Sequence, residues 1–263
     1  MKRSKKLSQR LNHRIIKIRF LILLVLPNGA LFSFTVNLIF IILALSGTIF
    51  SQSADFRFDS IDCQQCDGDA KSVIRSSSFW LSESPAMDPA SNNRIIIQSG
   101  TLSLIKKVSG EYWTYPNFDF GIKVTRNLAI TGKLFGFSTA KESPQILGAG
   151  IQYYYGGRDT LNWVSSIQRV DLKGLSHFRL TSLTFDIRKW IEWNSIQFRI
   201  GVGSNIFKER SYKGYSEPSS MKGQINFVSA DALKSYSFFK YGIGTRIHPG
   251  RTLVTFFIQK ELF

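Results

Sequence analysis

From about residue 101 to its end, the chain is written in short segments of period two. In 196–203, the even positions Ile196, Phe198, Ile200 and Val202 are large and apolar. The odd positions Gln197, Arg199, Gly201 and Gly203 are polar, charged or glycine. This pattern makes a β-strand with one apolar face and one small or polar face. The same alternation runs through 118–125, 147–155 and 239–247. Near the end, Val254, Phe256, Ile258 and Leu262 lie opposite Thr255, Gln259 and Glu261. Segment 177–187 changes phase near residue 181, as a bulge would make it do. Tight connections fall at Arg126-Asn127 and at His248-Pro249-Gly250-Arg251, where Pro sets φ and Gly supplies a positive φ.

A soluble sandwich can use such strands. A barrel in a bilayer must use them almost everywhere, because one face meets lipid and the other a polar lumen. Counting 101–108 as the first strand gives about ten, an even number as bacterial barrels prefer. The expected fold is therefore all-β: an antiparallel up-and-down transmembrane β-barrel of about 8–12 strands, best ten, over 101–263. Its inner face would carry Lys123, Lys133, Gln152, Gln197, Arg199, Lys240, Arg246, Gln259 and Glu261. A barrel of this size fills its interior with side chains and leaves no wide channel. With both chain ends on the inner side of the membrane, the long polar segment 205–223 falls outside. There Lys208, Arg210, Tyr212, Lys213 and Tyr215 form the expected contact surface, or else a merely solvated loop. Trp190 and Trp193 would mark the inner interfacial girdle or sit as core-edge tryptophans in a turn.

The net charge of +16 invites a nucleic-acid reading. Its distribution argues against one. Eight of the cations lie in residues 1–50, which hold no Asp or Glu, and the remainder carries only +8. No basic motif is interleaved with stacking aromatics. A mean hydropathy of −0.04 excludes a polytopic helical membrane protein, but alternation dilutes the apolar residues of a barrel twofold. The basic start, the apolar runs 15–26 and 32–50, and Ser51 and Ser53 describe an export signal over 1–53, with cleavage near 51–54. The alternative is an uncleaved helical anchor over 31–50. Residues 54–100, rich in Ser, Asp and Asn, are expected as an irregular periplasmic segment.

Cys63 and Cys66 form the one CxxC. In an oxidising compartment a local disulfide is the expected state. A zinc site needs about four ligands, and the histidines His13, His177 and His248 are far from the pair in sequence. No catalytic, cofactor or metal residues are expected. A lipid-modifying enzyme would need a nucleophile and base held together; Ser176 and Ser182 near His177, and His248 farther on, are the available groups.

With its export signal, its alternating strands and its terminal Phe263, the chain resembles the small bacterial outer-membrane β-barrels, the OmpA/OmpX-like class. The resemblance covers about 101–263. It implies an outer-membrane location, contact with outer-membrane lipids, and insertion by the barrel-assembly machinery, which reads a C-terminal aromatic. Here Gln259 and Glu261 share a phase with Phe263, and a terminal bulge would be needed to bring the apolar residues into that phase. The class includes structural, adhesive, channel-forming and enzymatic members. A non-enzymatic role in structure, surface interaction or limited permeation is expected. A membrane-tethered periplasmic β-domain binding a lipid-like ligand is the alternative.

Overall fold

The computed structural model describes residues 54–57, 66–108, 110–139, 142–157, 160–212 and 220–262. One helix, α1 (Cys66–Leu81), precedes ten strands. These are β1 (Ile95–Leu104), β2 (Thr114–Lys123), β3 (Leu128–Gly136), β4 (Gln145–Tyr155) and β5 (Trp163–Lys173), followed by β6 (Phe178–Trp193), β7 (Ile196–Ser211), β8 (Lys222–Tyr236), β9 (Phe239–His248) and β10 (Arg251–Leu262). Each strand pairs antiparallel with the next, and β1 pairs with β10 to close the barrel. Closure leaves no free strand edge and lets every ladder group find a partner without water. The ten-strand barrel read from the sequence is the observed fold.

Burial on this wall is inverted relative to a water-soluble protein. Leu134 is 62% exposed and Phe256 55%, and Ile130, Leu147, Ile151, Ile200, Val202 and Ile243 also face outward. Arg188, Arg199 and Arg246 face inward at 1–2% exposure. Charged side chains are almost never fully buried unless paired. A continuous apolar outer belt is what a bilayer requires.

The start of β1 and the end of β10 lie together, at what we call the termini end. The opposite, loop end carries the β1–β2, β3–β4, β5–β6, β7–β8 and β9–β10 connections. The last of these is the expected Pro-Gly turn, with Gly250 at φ 85°.

Several expectations are corrected. Residues 54–100 are not an irregular segment outside the barrel. Within them α1 and the stretch 82–94 fill the lumen, and β1 begins at Ile95, so the wall spans 95–262. There is no bulge at residue 181. β6 pairs with β5 and β7 in unbroken register. The change in pattern arises because the inward residues pass from apolar Phe178 and Leu180 to polar Ser182, Thr184 and Asp186. Likewise β10 follows β1 without a bulge from Leu253 through Leu262. Residues 205–211 are strand, so Lys208 and Arg210 sit on β7 rather than in a loop. Trp190 faces the lumen and Trp193 faces outward. The export signal, Cys63, Lys213, Tyr215 and Phe263 lie outside the described residues.

Candidate functional site

The lumen is the candidate site, and the chain's own residues 66–94 run through it from the loop end toward the termini end. Contacts to the wall trace the descent. Ser72 and Ser76 accept from Arg251 near the loop end. Asn205 donates to Ser78 O at 2.6 Å, and Gln168 to Glu83 O at 2.9 Å. Farther down, Arg199 and Gln152 each donate to Pro85 O at 3.0 Å. Ser91 reaches Glu261 at the termini end.

Around α1 the lumen is apolar. Val73, Ile74, Phe79, Trp80 and Leu81 pack against Leu102, Leu104, Trp113, Phe178, Phe207 and Leu253 of the wall and its loops. Trp80 stacks on Tyr115 at 4.4 Å between ring centroids, and its indole N–H donates to Pro116 O at 3.2 Å. The sequence hides this helix, because Ser76, Ser77 and Ser78 interrupt its apolar residues and are themselves fully buried. Serine is a neutral to poor helix former, but its small size lets the helix lie close to the wall. Its hydroxyl also has a local partner: Ser77 Oγ donates to Val73 O at 2.9 Å.

Below α1 the filling becomes ionic. Asp231 accepts from Arg188 at 3.0 Å and from Arg199 at 2.7 Å. Arg188 also holds Asp186 at 3.0 Å. Arg246 lies 3.1 Å from Glu83 and donates to Ser82. Lys133 and Asp119 pair at 2.7 Å. Nearer the termini end, Lys240 bridges Asp88 at 3.1 Å and Glu261 at 2.8 Å. Lys123 donates to the carbonyls of Asp88 and Ser91 at 2.5 and 2.6 Å. Burial by itself raises the Asp88 carboxyl. Lys240, the Gln197 amide and the Ala90 N–H outweigh it and hold the group below its ordinary value.

Unpaired buried charge is costly, so the balance of this network matters. The wall contributes six cations, Lys123, Lys133, Arg188, Arg199, Lys240 and Arg246, and five anions, Asp119, Asp186, Glu209, Asp231 and Glu261. Glu83 and Asp88 of the plug pair with two of these cations, Arg246 and Lys240. Two glycines make room for the centre of the network. A Cβ on Gly244 would run into the Asp231 carboxylate, and one on Gly201 into the Arg188 side chain.

All five lumen candidates read from the sequence, Lys123, Gln152, Arg199, Lys240 and Arg246, touch the plug. Sequence reasoning missed their partners, Glu83 and Asp88, along with Arg188, Asp186 and Asp231. Glu83 and Asp88 sit in a short Ser/Pro-rich stretch with no periodicity, while the other three alternate along β6 and β8 and could have been found by extending those strands. Cys66 is the first residue of α1 and its partner in the CxxC is not described, so the disulfide expectation falls outside the described residues. Lys208 and Arg210 point outward from β7, and Tyr212 follows its end. Ser176 gives its hydroxyl proton to Glu142 and Ser182 to Asn205. The ring of His248 meets Asn226 O. Among the described residues, no group of three or more His, Cys, Asp or Glu could hold a metal ion.

At the termini end, below the plug, a cavity of about 860 Å³ opens between Asp88, Arg94, Lys123, Arg126, Trp190 and Glu192.

No protein-family model matches the chain, and no curated protein matches it. Solved structures with a similar course include the translocator domain of the autotransporter NalP from Neisseria meningitidis. It is 8% identical, with TM-score 0.37, over 71% of this chain and 91% of that one. A bacterial polysaccharide outer membrane secretin is 7% identical, with TM-score 0.31, over 66% of this chain and 100% of that one. Ail, the attachment invasion locus protein of Yersinia pestis, is 11% identical, with TM-score 0.24, over 65% and 98%. At this level of likeness the burial pattern, not the neighbours, carries the assignment. A closed antiparallel wall that is apolar outside and charged inside is the build of a membrane-spanning β-barrel.

Proposed function

We propose that this protein is a sealed, non-enzymatic barrel of the outer membrane whose role is structural or one of surface interaction. The observation that carries the reading is the lumen. α1 and residues 82–94 fill it from the loop end toward the termini end, and Glu83 and Asp88 of that filling form ion pairs with Arg246 and Lys240 of the wall. A barrel so filled offers no water path, so limited permeation ranks below the other two roles. The membrane lipids are its surroundings, and the barrel-assembly machinery is the expected route of insertion.

The outer belt favours this reading over a tethered periplasmic domain. Soluble proteins rarely expose continuous apolar patches of more than a few hundred Å², and here outward apolar residues recur around the wall from Phe120 to Phe256. The lipid-modifying enzyme is disfavoured because the hydroxyl protons of Ser176 and Ser182 are committed to side chains other than histidine.

The test is fractionation of the producing cell, with the outer-membrane fraction run on SDS gels with and without boiling. The reading expects outer-membrane location and faster migration of the unboiled protein. A soluble or inner-membrane protein without a shift would return the tethered domain to first place.

A further inference from the structure

Beyond the filled lumen, the outward face of β6, β7 and β8 near the loop end carries a feature that barrel closure does not need. Lys208 lies directly opposite Lys222 in the β7–β8 ladder, and Arg179 opposite Arg210 in the β6–β7 ladder. All four are exposed. Like charges directly across a sheet are destabilising. Among the described residues, none of the four has an acidic partner within salt-bridge distance. Two carboxylates of the described residues on these strands are engaged elsewhere. Asp171, in the same row, accepts from Thr181 at 2.5 Å and faces Arg169 at 3.7 Å. Glu209 points into the barrel and accepts from Met221 N at 2.9 Å.

Beneath the two lysines is a groove of about 480 Å³ lined by Thr181, Leu183, Ile206, Lys208, Lys222 and Gln224. Leu183 and Ile206 are paired across the ladder. Below them Ser204, Gln224 and Asn226 form a small hydrogen-bonded outward cluster beside Phe185, and the apolar belt resumes at Val202 and Val228. Toward the loop end the outward surface therefore runs from the apolar belt past Ser204, Asn226 and Gln224 to the Leu183–Ile206 pair, the lysine pair and the arginine pair. The two cationic pairs are separated by two residues along β7, about 7 Å.

We propose that this face binds a membrane lipid whose head group bears two phosphates. An acyl chain lies on Leu183 and Ile206, one phosphate meets Lys208 and Lys222, and the second meets Arg179 and Arg210. Basic side chains at the edge of a bilayer belt reach up along it to anionic head groups. Ammonium pairs and guanidinium pairs suit phosphate, the latter through bidentate hydrogen bonds. The inference rests on the outer-membrane reading and names the lipid partner of that surface.

The experiment uses the full chain folded in nonionic detergent, with folding scored by the cold SDS-gel shift. Native mass spectrometry then measures retention of diphosphorylated lipid A, phosphatidylglycerol and phosphatidylcholine. Lipid A is expected to be retained most and phosphatidylcholine least. The K208Q/K222Q variant, with its gel shift intact, is expected to bind lipid A roughly thirtyfold more weakly, about fivefold per ammonium removed. K234Q, an outward lysine at the termini end, is expected to bind like wild type. Loss of the gel shift in the wild type would sink the barrel reading itself. A shifted wild type that retains no lipid A would overturn the lipid site alone, as would a K208Q/K222Q protein that binds as wild type does. Equal retention of phosphatidylglycerol would overturn the two-phosphate form.

Discussion

The loop-end half of the lumen and its middle are filled by one continuous stretch of chain, yet by opposite chemistry. Around α1 the filling is a core of ordinary kind: Trp80 on Tyr115, with Phe56 and Phe137 beside them, and Phe178 and Leu180 inward from β6. Eight residues farther along the same strand the inward residues are Asp186 and Arg188, and the filling is Ser84, Pro85 and Glu83. The same wall strands line both regions. The inward chemistry follows what occupies the barrel. The apolar half contributes by non-directional burial, which tolerates sliding. The ionic half fixes depth, because each arginine has a carboxylate or carbonyl at one height only.

The largest expected effect strikes the apolar half. Trp80→Ala removes the stacked indole and leaves a cavity, at a cost of about 3–5 kcal/mol in urea unfolding of the barrel in lipid vesicles. A loss below about 1 kcal/mol would mean that α1 does not anchor the filling. Asp231→Asn acts on the ionic half. It leaves Arg188 and Arg199 sharing less negative charge, and about 3 kcal/mol is expected in the same assay. The loss should be nearly insensitive to salt, since buried pairs are weakly screened. A penalty that vanishes in high salt would place the network in water and dissolve the contrast between the halves.

Gly244→Ala probes how tightly the ionic half is built. Its methyl meets the Asp231 carboxylate, and a loss of about 1–3 kcal/mol follows for overpacking. An unchanged urea midpoint would show that the network has slack.

The smallest effect belongs to Asp88 and is read by pH. Its carboxyl is held below the ordinary value of 3.8. The stability it contributes is therefore present above pH about 4 and fades as pH falls through the folded value. Urea midpoints of wild type and Asp88→Asn should be farthest apart at neutral pH and converge in acid. Parallel curves would remove Asp88 from the account.

The wall was legible in the sequence because alternation is a two-residue rule. Gln197, Arg199, Ile200 and Val202 declare their faces without knowledge of the rest of the molecule. The filling was not legible, because α1 and residues 82–94 take their hydrogen-bond partners from eight different strands and pack rings against two more. Val73, Ile74, Trp80 and Leu81 share one helical face, but Ser77 interrupts it, Phe79 lies off it, and Ser76 and Ser78 are buried on the other faces, so the stripe is blurred. The false bulge at residue 181 has the same origin. Phe178 and Leu180 are apolar because α1 lies beside them, a fact no window on β6 contains. Lys123, Gln152, Arg199, Lys240 and Arg246 could be assigned a face, but their partners Glu83, Pro85 and Asp88 lie between about 35 and 165 residues away in sequence.

The most direct test of the central claim, a barrel sealed by its own chain, is electrical. The intact protein, with folding scored beforehand by the cold SDS-gel shift, is inserted into a planar lipid bilayer under an applied voltage. The account predicts insertion without a steady ohmic current, because α1 and residues 82–94 leave no water path. A steady current through the intact, folded barrel would contradict it.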